Sequence, residues 1–329
     1  MISLWDTDGN AVLHALAAER RSAGGVASGL ALSLVVVVDE KRIRDAEAAA
    51  TIAAAAHPCR IIIVARYDVK SEQSRLDAEI VVGGRLGPCE AVVMRMRGRL
   101  ALHAESVVMP LLAPDVPVVT WWHMTPPDRI AHDQLGVVAD RRITDALQTN
   151  DDPVEALRIR ADDYAPGDTD LAWTRATPWR TLIAGAFDAL QRRVTAVTVV
   201  GPQSDPTAAL LGGWLQARLN VVPTWEQASR LAGVRVTLAD GDEFALEAAR
   251  DGTAVLKRAN LPDRILPLVE RMLGDELAEE LRRLDADQPY AAALGAATGR
   301  SNLDSRPAVR VHVWHDPALA EKPEAVYAA

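Results

Sequence analysis

The sequence predicts an α/β protein made of two related α/β units with mixed sheets, a parallel βαβ core plus antiparallel meander strands, joined by an irregular linking region. Three observations carry that expectation. Residues 32–38 and 61–64 are continuous apolar, β-branched runs, the pattern of strands covered on both faces. The alanine-rich stretch 43–56 between them has helical spacing, so strand, helix and strand read as one right-handed parallel crossover. The same order returns over 196–225, and the alternating segments that follow, with Gly241 and Gly252 between them, read as a meander.

Taken in order, residues 10–22 read as a short amphipathic helix with Val12, Leu13, Leu16 and Ala17 on one side. Gly24, Gly25 and Gly29 mark the turn before the first buried strand. The alternating stretches 77–82 and 90–97 are predicted as an antiparallel extension. A helical segment from His103 is ended or kinked near Pro110, and 118–122 returns as a strand. Pro126-Pro127, Asn150 to Pro153 and Ala165 to Asp168 break the joining region, leaving room for a short strand at 141–143 and a helix over 153–163. Thr177 is placed as a helix N-cap, with Pro178 at the first helical position, where its missing N–H costs nothing. In the second half, strands are expected at 196–200, 221–225, 234–238, 244–248 and 254–257. Helices are expected at 207–219, capped by Ser204 or Asp205, and at 265–284 with Pro267 near the start. The domain expectation is 1–150, a linking segment 151–177, a second α/β domain 178–300 and a mobile tail 301–329.

At 329 residues and 49% hydrophobic content the chain is long enough for two ordinary domains with substantial cores. The net charge of −9 argues against broad attraction to nucleic acid or an anionic membrane. The first eight residues lack the basic start and apolar run of a secretory signal, and the apolar run 30–38 is too short for a membrane span, so a cytoplasmic location is expected. Cys59 and Cys89 are the only cysteines, too few for a disulfide framework or a four-cysteine zinc site.

The chemistry-bearing motifs are sparse. Gly24 to Gly29 precedes a strand instead of following one, and Gly83 to Gly87 falls between antiparallel segments, so neither reads as a dinucleotide loop. The loop Gly201 to Asp205 enters a helix N-terminus and could hold an anion, but Asp205 places negative charge there, which favours an ordinary cap. His312, His315 and Asp316 fall in the expected tail, and His57 with Cys59 has no second ligand pair at zinc spacing. There is no G-x-S-x-G elbow. Cys59 beside Ile61 reads as a buried thiol. The carboxylates at 151–152, 162–163 and 168–170 fall in turns and at helix ends. No catalytic residue, metal or cofactor is assigned. The tryptophans are the anomaly: eight, against four tyrosines and two phenylalanines. Adjacent strand residues face opposite sides, so one of Trp121 and Trp122 is expected to face a pocket or a partner. Tryptophan and arginine dominate interface hot spots, which makes Trp121, Trp122, Trp173, Arg175, Trp179 and Arg180 the candidate partner-binding cluster. The commoner role for such tryptophans is core packing.

Five landmarks carry a resemblance. They are His57-Pro-Cys-Arg60 before the run 61–64, Asp115-Val-Pro-Val-Val-Thr-Trp-Trp122, Asp140-Arg-Arg-Ile-Thr-Asp145, Tyr164-Ala-Pro-Gly-Asp-Thr-Asp-Leu-Ala-Trp173, and its continuation to Arg180. Their order resembles the glucose-6-phosphate dehydrogenase assembly protein family, OpcA, in its actinobacterial form, from about Ala31 to about Gly295. The resemblance implies a non-catalytic assembly factor and allosteric activator of glucose-6-phosphate dehydrogenase in the oxidative pentose phosphate pathway. The alternative is a sugar-phosphate- or nucleotide-binding enzyme or sensor with a site between the two units. There Arg60, Arg66, Arg141 and Arg142 would neutralise phosphate at the strand ends.

Overall fold

The two apolar runs pair as the crossover requires. β2 (Leu32–Asp39) and β3 (Cys59–Tyr67) lie parallel in the register Leu32↔Cys59 to Asp39↔Arg66, with α2 (Ile43–Ala56) between them in sequence. This is seen in a computed structural model that describes residues 1–22, 29–83, 89–149, 152–187 and 192–308. Alternate residues enter separate cores: Val35, Val37, Ile62 and Val64 on one face, Leu34, Val36, Ile61 and Ile63 on the other. Both faces are covered, which is why these strands read as unbroken apolar runs.

The sheet grows to eight strands in the order β1-β4-β5-β3-β2-β6-β7-β8. The added strands are β1 (Ile2–Leu4), β4 (Arg75–Val82), β5 (Glu90–Arg97), β6 (Val118–His123), β7 (Arg141–Thr144) and β8 (Asp168–Asp170). Only β4 runs against its neighbours. α1 (Gly9–Ser22), α3 (Glu105–Val108) and α4 (Gln134–Val137) cover one face through Val12, Leu16, Val107 and Leu135. α2 and α9 (Leu273–Leu281) cover the other through Ala50, Ala53, Leu277 and Leu281.

The second sheet has the order β10-β9-β11-β12-β13-β14. β9 (Val194–Val200), α8 (Pro206–Leu219) and β10 (Thr224–Glu226) form its parallel unit. β11 (Gly233–Leu238), β12 (Glu243–Ala248), β13 (Thr253–Arg258) and β14 (Leu261–Pro267) continue it as an antiparallel meander. One face packs on α7 (Thr177–Phe187) and α8 around Val197, Val234, Phe244 and Leu246. A fourth core joins α5 (Pro153–Asp163), α6 (Leu171–Arg175), α8 and α10 (Gln288–Thr298) through Leu157, Trp173, Leu210 and Tyr290.

Several local expectations are corrected. The helix expected over 265–284 begins as β14, because Val255↔Ile265 and Ala254↔Leu266 pairing draws those residues into the sheet. Pro262 and Pro267 withhold two N–H groups, which suits an edge strand; helix resumes only at Leu273. Strand β10 starts at Thr224, three residues later than expected. The segment after His103 is reduced to the single turn α3 followed by a 3-10 turn at Met109–Leu111. The helix expected to start at Thr177 follows a turn already capped at Asp170, whose carboxylate accepts from the Ala172 amide. Thr177 instead accepts from Arg180 Nη2 through its hydroxyl at 2.7 Å. The stretch 151–177 holds α5, β8 and α6, and β8 closes the edge of the first sheet. Of the earlier expectations, those on residues 24–25, 84–87, 150–151 and the tail 309–329, with His312, His315 and Asp316, lie outside the described residues.

Helices α8 and α10 touch closely at Gly213, where an added Cβ would lie 2.2 Å from the Ala293 carbonyl oxygen and 2.9 Å from the Ala297 Cβ. Gly213→Ala is therefore expected to cost about 1–3 kcal/mol by overpacking. Gly185 lies in α7 with nothing within 4 Å of such a Cβ; Gly185→Ala is expected to gain about 0.5–1 kcal/mol from helix entropy alone. Urea titrations of the two variants should shift in opposite directions.

Candidate functional site

Alternation along β6 sends Trp121 and Trp122 to opposite faces, as the sequence requires, but both faces are covered. Neither meets solvent, so the expectation that one of them faces a pocket or partner does not hold in this structure. Trp173 is buried in the fourth core and its indole N–H donates to Asp287 Oδ2 at 2.9 Å. Trp179 is buried against the second sheet. The Arg180 guanidinium lies 3.4 Å above the Trp173 ring, and burial pushes its pKa down to about 10. The tryptophans of the cluster drawn from the sequence thus fall in four separate cores. Among the described residues the exposed tryptophan is Trp5, at 65%. Its place in a polar turn beside Asp6 and Asp8 was the available signal.

The arginines build an ionic junction. Arg141 and Arg142 are neighbours on β7 and point to opposite faces. Arg141 reaches α9, donating to Glu280 from Nε and Nη2 and to the Asp285 carbonyl at 3.0 Å. Glu280 also accepts the Thr174 hydroxyl of α6. Arg142 donates to Asp168, to the Ala139 carbonyl at 2.9 Å and to the Pro166 carbonyl at 2.8 Å. Arg175 bridges Asp145 and Glu276, donating to both oxygens of each at 2.7–2.9 Å. Burial opposes its charge, but those hydrogen bonds and carboxylates hold the pKa above the ordinary arginine value.

The four arginines expected to share an anion do not come together. Arg60 is closed by Glu90 at 2.7 Å and by the Leu111 carbonyl at 2.7 Å. Arg66 sits at the far end of the same strand, where burial lowers its pKa against the pull of Asp133 and Glu105. Arg141 and Arg142 are consumed on opposite faces of β7. Asp170, whose pKa burial raises, accepts from Thr144 Oγ1 at 2.7 Å and from the Ala146 and Ala172 amides, so it ties β7, β8 and α6 together. Cys59 and Cys89 are buried side by side, and their mutual hydrogen bond pushes the Cys59 thiol up. Among the described residues no three histidine, cysteine, aspartate or glutamate side chains are grouped to hold a metal.

A cavity of about 740 Å³ opens where one end of the second sheet meets α6, α7 and the start of α9. Arg175 and Trp179 line it, as do Arg230, Arg250 and Arg271, which the sequence reading passed over. Those three stand about twenty residues apart in the chain, and only the meander brings them together.

Arg141→Leu leaves Glu280 buried without its cation and is expected to cost about 3–5 kcal/mol in denaturant titration. His123 ends β6, is buried, and sets its ring 4.7 Å from that of Trp121 at a tilt of 39°. Burial first, then the Arg42 charge, lowers its pKa below the ordinary 6.5. The unfolded chain then takes a proton that the folded chain resists. Its contribution to stability is complete above pH 6.5 and is lost as pH falls below that value. In melting curves against pH, His123→Phe should decline less steeply below 6.5 than the parent chain.

Residues 50–162 match the family model described as the glucose-6-phosphate dehydrogenase subunit N-terminal domain. Residues 166–294 match the one described as the C-terminal domain of that subunit. A relative from Synechococcus elongatus named "Putative OxPP cycle protein OpcA" is 32% identical over 145 residues, 41% of this chain and 32% of that protein. One of the same name from Synechocystis sp. is 27% identical over 184 residues, 52% of this chain and 39% of that protein. The matched part spans less than two fifths of either relative. Among solved structures, an oxidoreductase from Sinorhizobium meliloti aligns with TM-score 0.41 at 10% identity over 80% of this chain and 86% of the other. An NAD binding oxidoreductase from Klebsiella pneumoniae gives 0.42 at 8% over 81% and 94%. Both likenesses are too loose to bear on chemistry. The two domain models, laid end to end over most of the chain in the order its motifs run, place it in the OpcA family of glucose-6-phosphate dehydrogenase assembly proteins.

Proposed function

We propose that the chain is a non-catalytic assembly factor that binds glucose-6-phosphate dehydrogenase and activates it allosterically. The observation that carries this reading is the consecutive match to both domains named for that enzyme's subunit. The engagement of Asp145, Asp168, Asp170, Glu276 and Glu280 in bonds that hold helices and strands in place supports it. A protein activator acts by binding the active form of its target more tightly than the inactive form. A ten- to hundredfold preference requires about 1.4–2.8 kcal/mol of coupling, within reach of a modest interface.

The contact is placed on β14 and the segment after it. β14 is an edge strand, with Leu261, Ile265, Val269 and Met272 exposed by 52, 74, 66 and 69% along and just beyond it. An open edge with apolar side chains is a template for strand addition by a partner. This reading puts the chain in the cytoplasm with its target; among the described residues no helix is long and apolar enough to cross a membrane.

The test mixes the purified chain with the dehydrogenase of the same organism. Co-elution and a rise in kcat/KM of about tenfold are expected, corresponding to the lower coupling figure. Neither co-elution nor a kinetic change at any ionic strength would reject the function, and co-elution with unchanged kinetics would reduce it to scaffolding. Ile265→Glu should weaken co-elution while leaving the melting temperature in place.

A further inference from the structure

We propose that the cavity at the end of the second sheet is a binding site for a small anion carrying phosphate groups. The inference concerns the isolated chain and stands apart from the dehydrogenase reading.

Arg60, Arg141, Arg142 and Arg175 are each closed by a carboxylate within hydrogen-bond reach. The other arginines of the cavity are not. Arg250, exposed on the β12–β13 turn, makes no hydrogen bond or ion pair among the described residues. Arg230 comes no closer than 3.9 Å to Glu270, a side chain 94% exposed. Arg271 Nη1 is buried without a hydrogen-bond acceptor, 3.9 Å from Glu279. Arginines from three separate segments therefore line one space, none with a carboxylate inside hydrogen-bond distance among the described residues.

The remaining carboxylates on the wall do not supply them. Glu276 is held by Arg175, and Asp205 accepts the Thr207 amide at 2.8 Å as the cap of α8. The cap occupies the helix amide, so recognition of an anion falls to the guanidiniums. Their planar forks match phosphate oxygens two at a time. Trp179 and Leu268 give the cavity an apolar side suited to a ring or carbon skeleton. Its volume of about 740 Å³ lies in the range of small-molecule sites. Its place, at the carboxyl ends of β9 and β10, is where open α/β sheets hold ligands. The chain's net charge of −9 opposes a long polyanion, so the ligand is a small molecule.

Calorimetric titration of the full chain with inorganic pyrophosphate and with ATP tests this. Saturable one-to-one binding is expected, weakening as salt is raised. In the double variant Arg230→Ala/Arg250→Ala it should weaken at least about tenfold, the loss of one charge-assisted hydrogen bond or more. Both side chains are exposed, so the melting temperature without ligand should not move. Glu270→Gln removes the competing carboxylate and should tighten binding, an effect that misfolding cannot imitate. No saturable binding of either probe, equal affinity in the double variant, or binding of poly-glutamate in place of both probes would overturn the assignment.

Discussion

The clamp between α9 and the first sheet governs the molecule. Arg141 on β7 grips Glu280, and Arg175 on α6 holds Asp145 and Glu276 at once. Each ion in that junction is buried or nearly so, and a buried ion costs several kcal/mol unless its partner is in place. Arrangements that separate α9 from β7 and α6 therefore strand charges, and the pairing offsets their burial only in the observed geometry. The clamp joins residues 139 apart in sequence, Arg141 and Glu280. α9 also completes the core over β2 and β3 through Leu277 and Leu281. The second unit is consequently attached by its own chain to the far face of the first.

That attachment decides what the neighbouring segment can do. β14 ends at Pro267 and α9 begins at Leu273, so the connection between them is short. The Leu268 amide donates to Gly252 at 2.8 Å on one side, and the Asp275 and Glu276 amides donate to the Met272 carbonyl at 2.9 and 3.0 Å on the other. The segment is held at both ends, yet it turns Val269 and Met272 to solvent and Arg271 into the cavity. A connection pinned in this way exposes apolar side chains because its anchors fix its path, and burying them internally would require the clamp to move.

The parts of this fold that sequence revealed are those set by neighbours in the chain. Strands β2 and β3, helix α2 and the turns at Gly241 and Gly252 follow from local periodicity and from backbone preference; both glycines adopt positive φ, 86° and 73°. The miss at 265–284 has the opposite origin. Ile265, Leu266, Val269 and Met272 have a spacing that suits a helix, but pairing with β13 is a long-range interaction that spacing does not contain. The same limit applied to the site. Trp121 and Trp122 alternate as any strand pair must, and whether the Trp121 face is open depends on α9, which arrives about 150 residues later. Composition marked the tryptophans as unusual without saying on which side of the surface they lie.

The arginines show the limit most sharply. In sequence, Arg141-Arg142 is a conspicuous pair after a turn, whereas Arg230, Arg250 and Arg271 are scattered single residues. In the structure the conspicuous pair is spent on Glu280 and Asp168, and the scattered three retain unmet bonding capacity around one space. The difference is set by the carboxylates. A guanidinium beside a buried carboxylate forms its bonds within the fold and strengthens it. One that shares a cavity with an exposed carboxylate competes with water and stays available. Counting positive residues therefore ranks sites poorly; the useful quantity is the positive charge left over after each buried acid has taken its partner. By that measure the recognition chemistry of this chain moves from the first sheet, where the motifs are dense, to the end of the second, where they are absent.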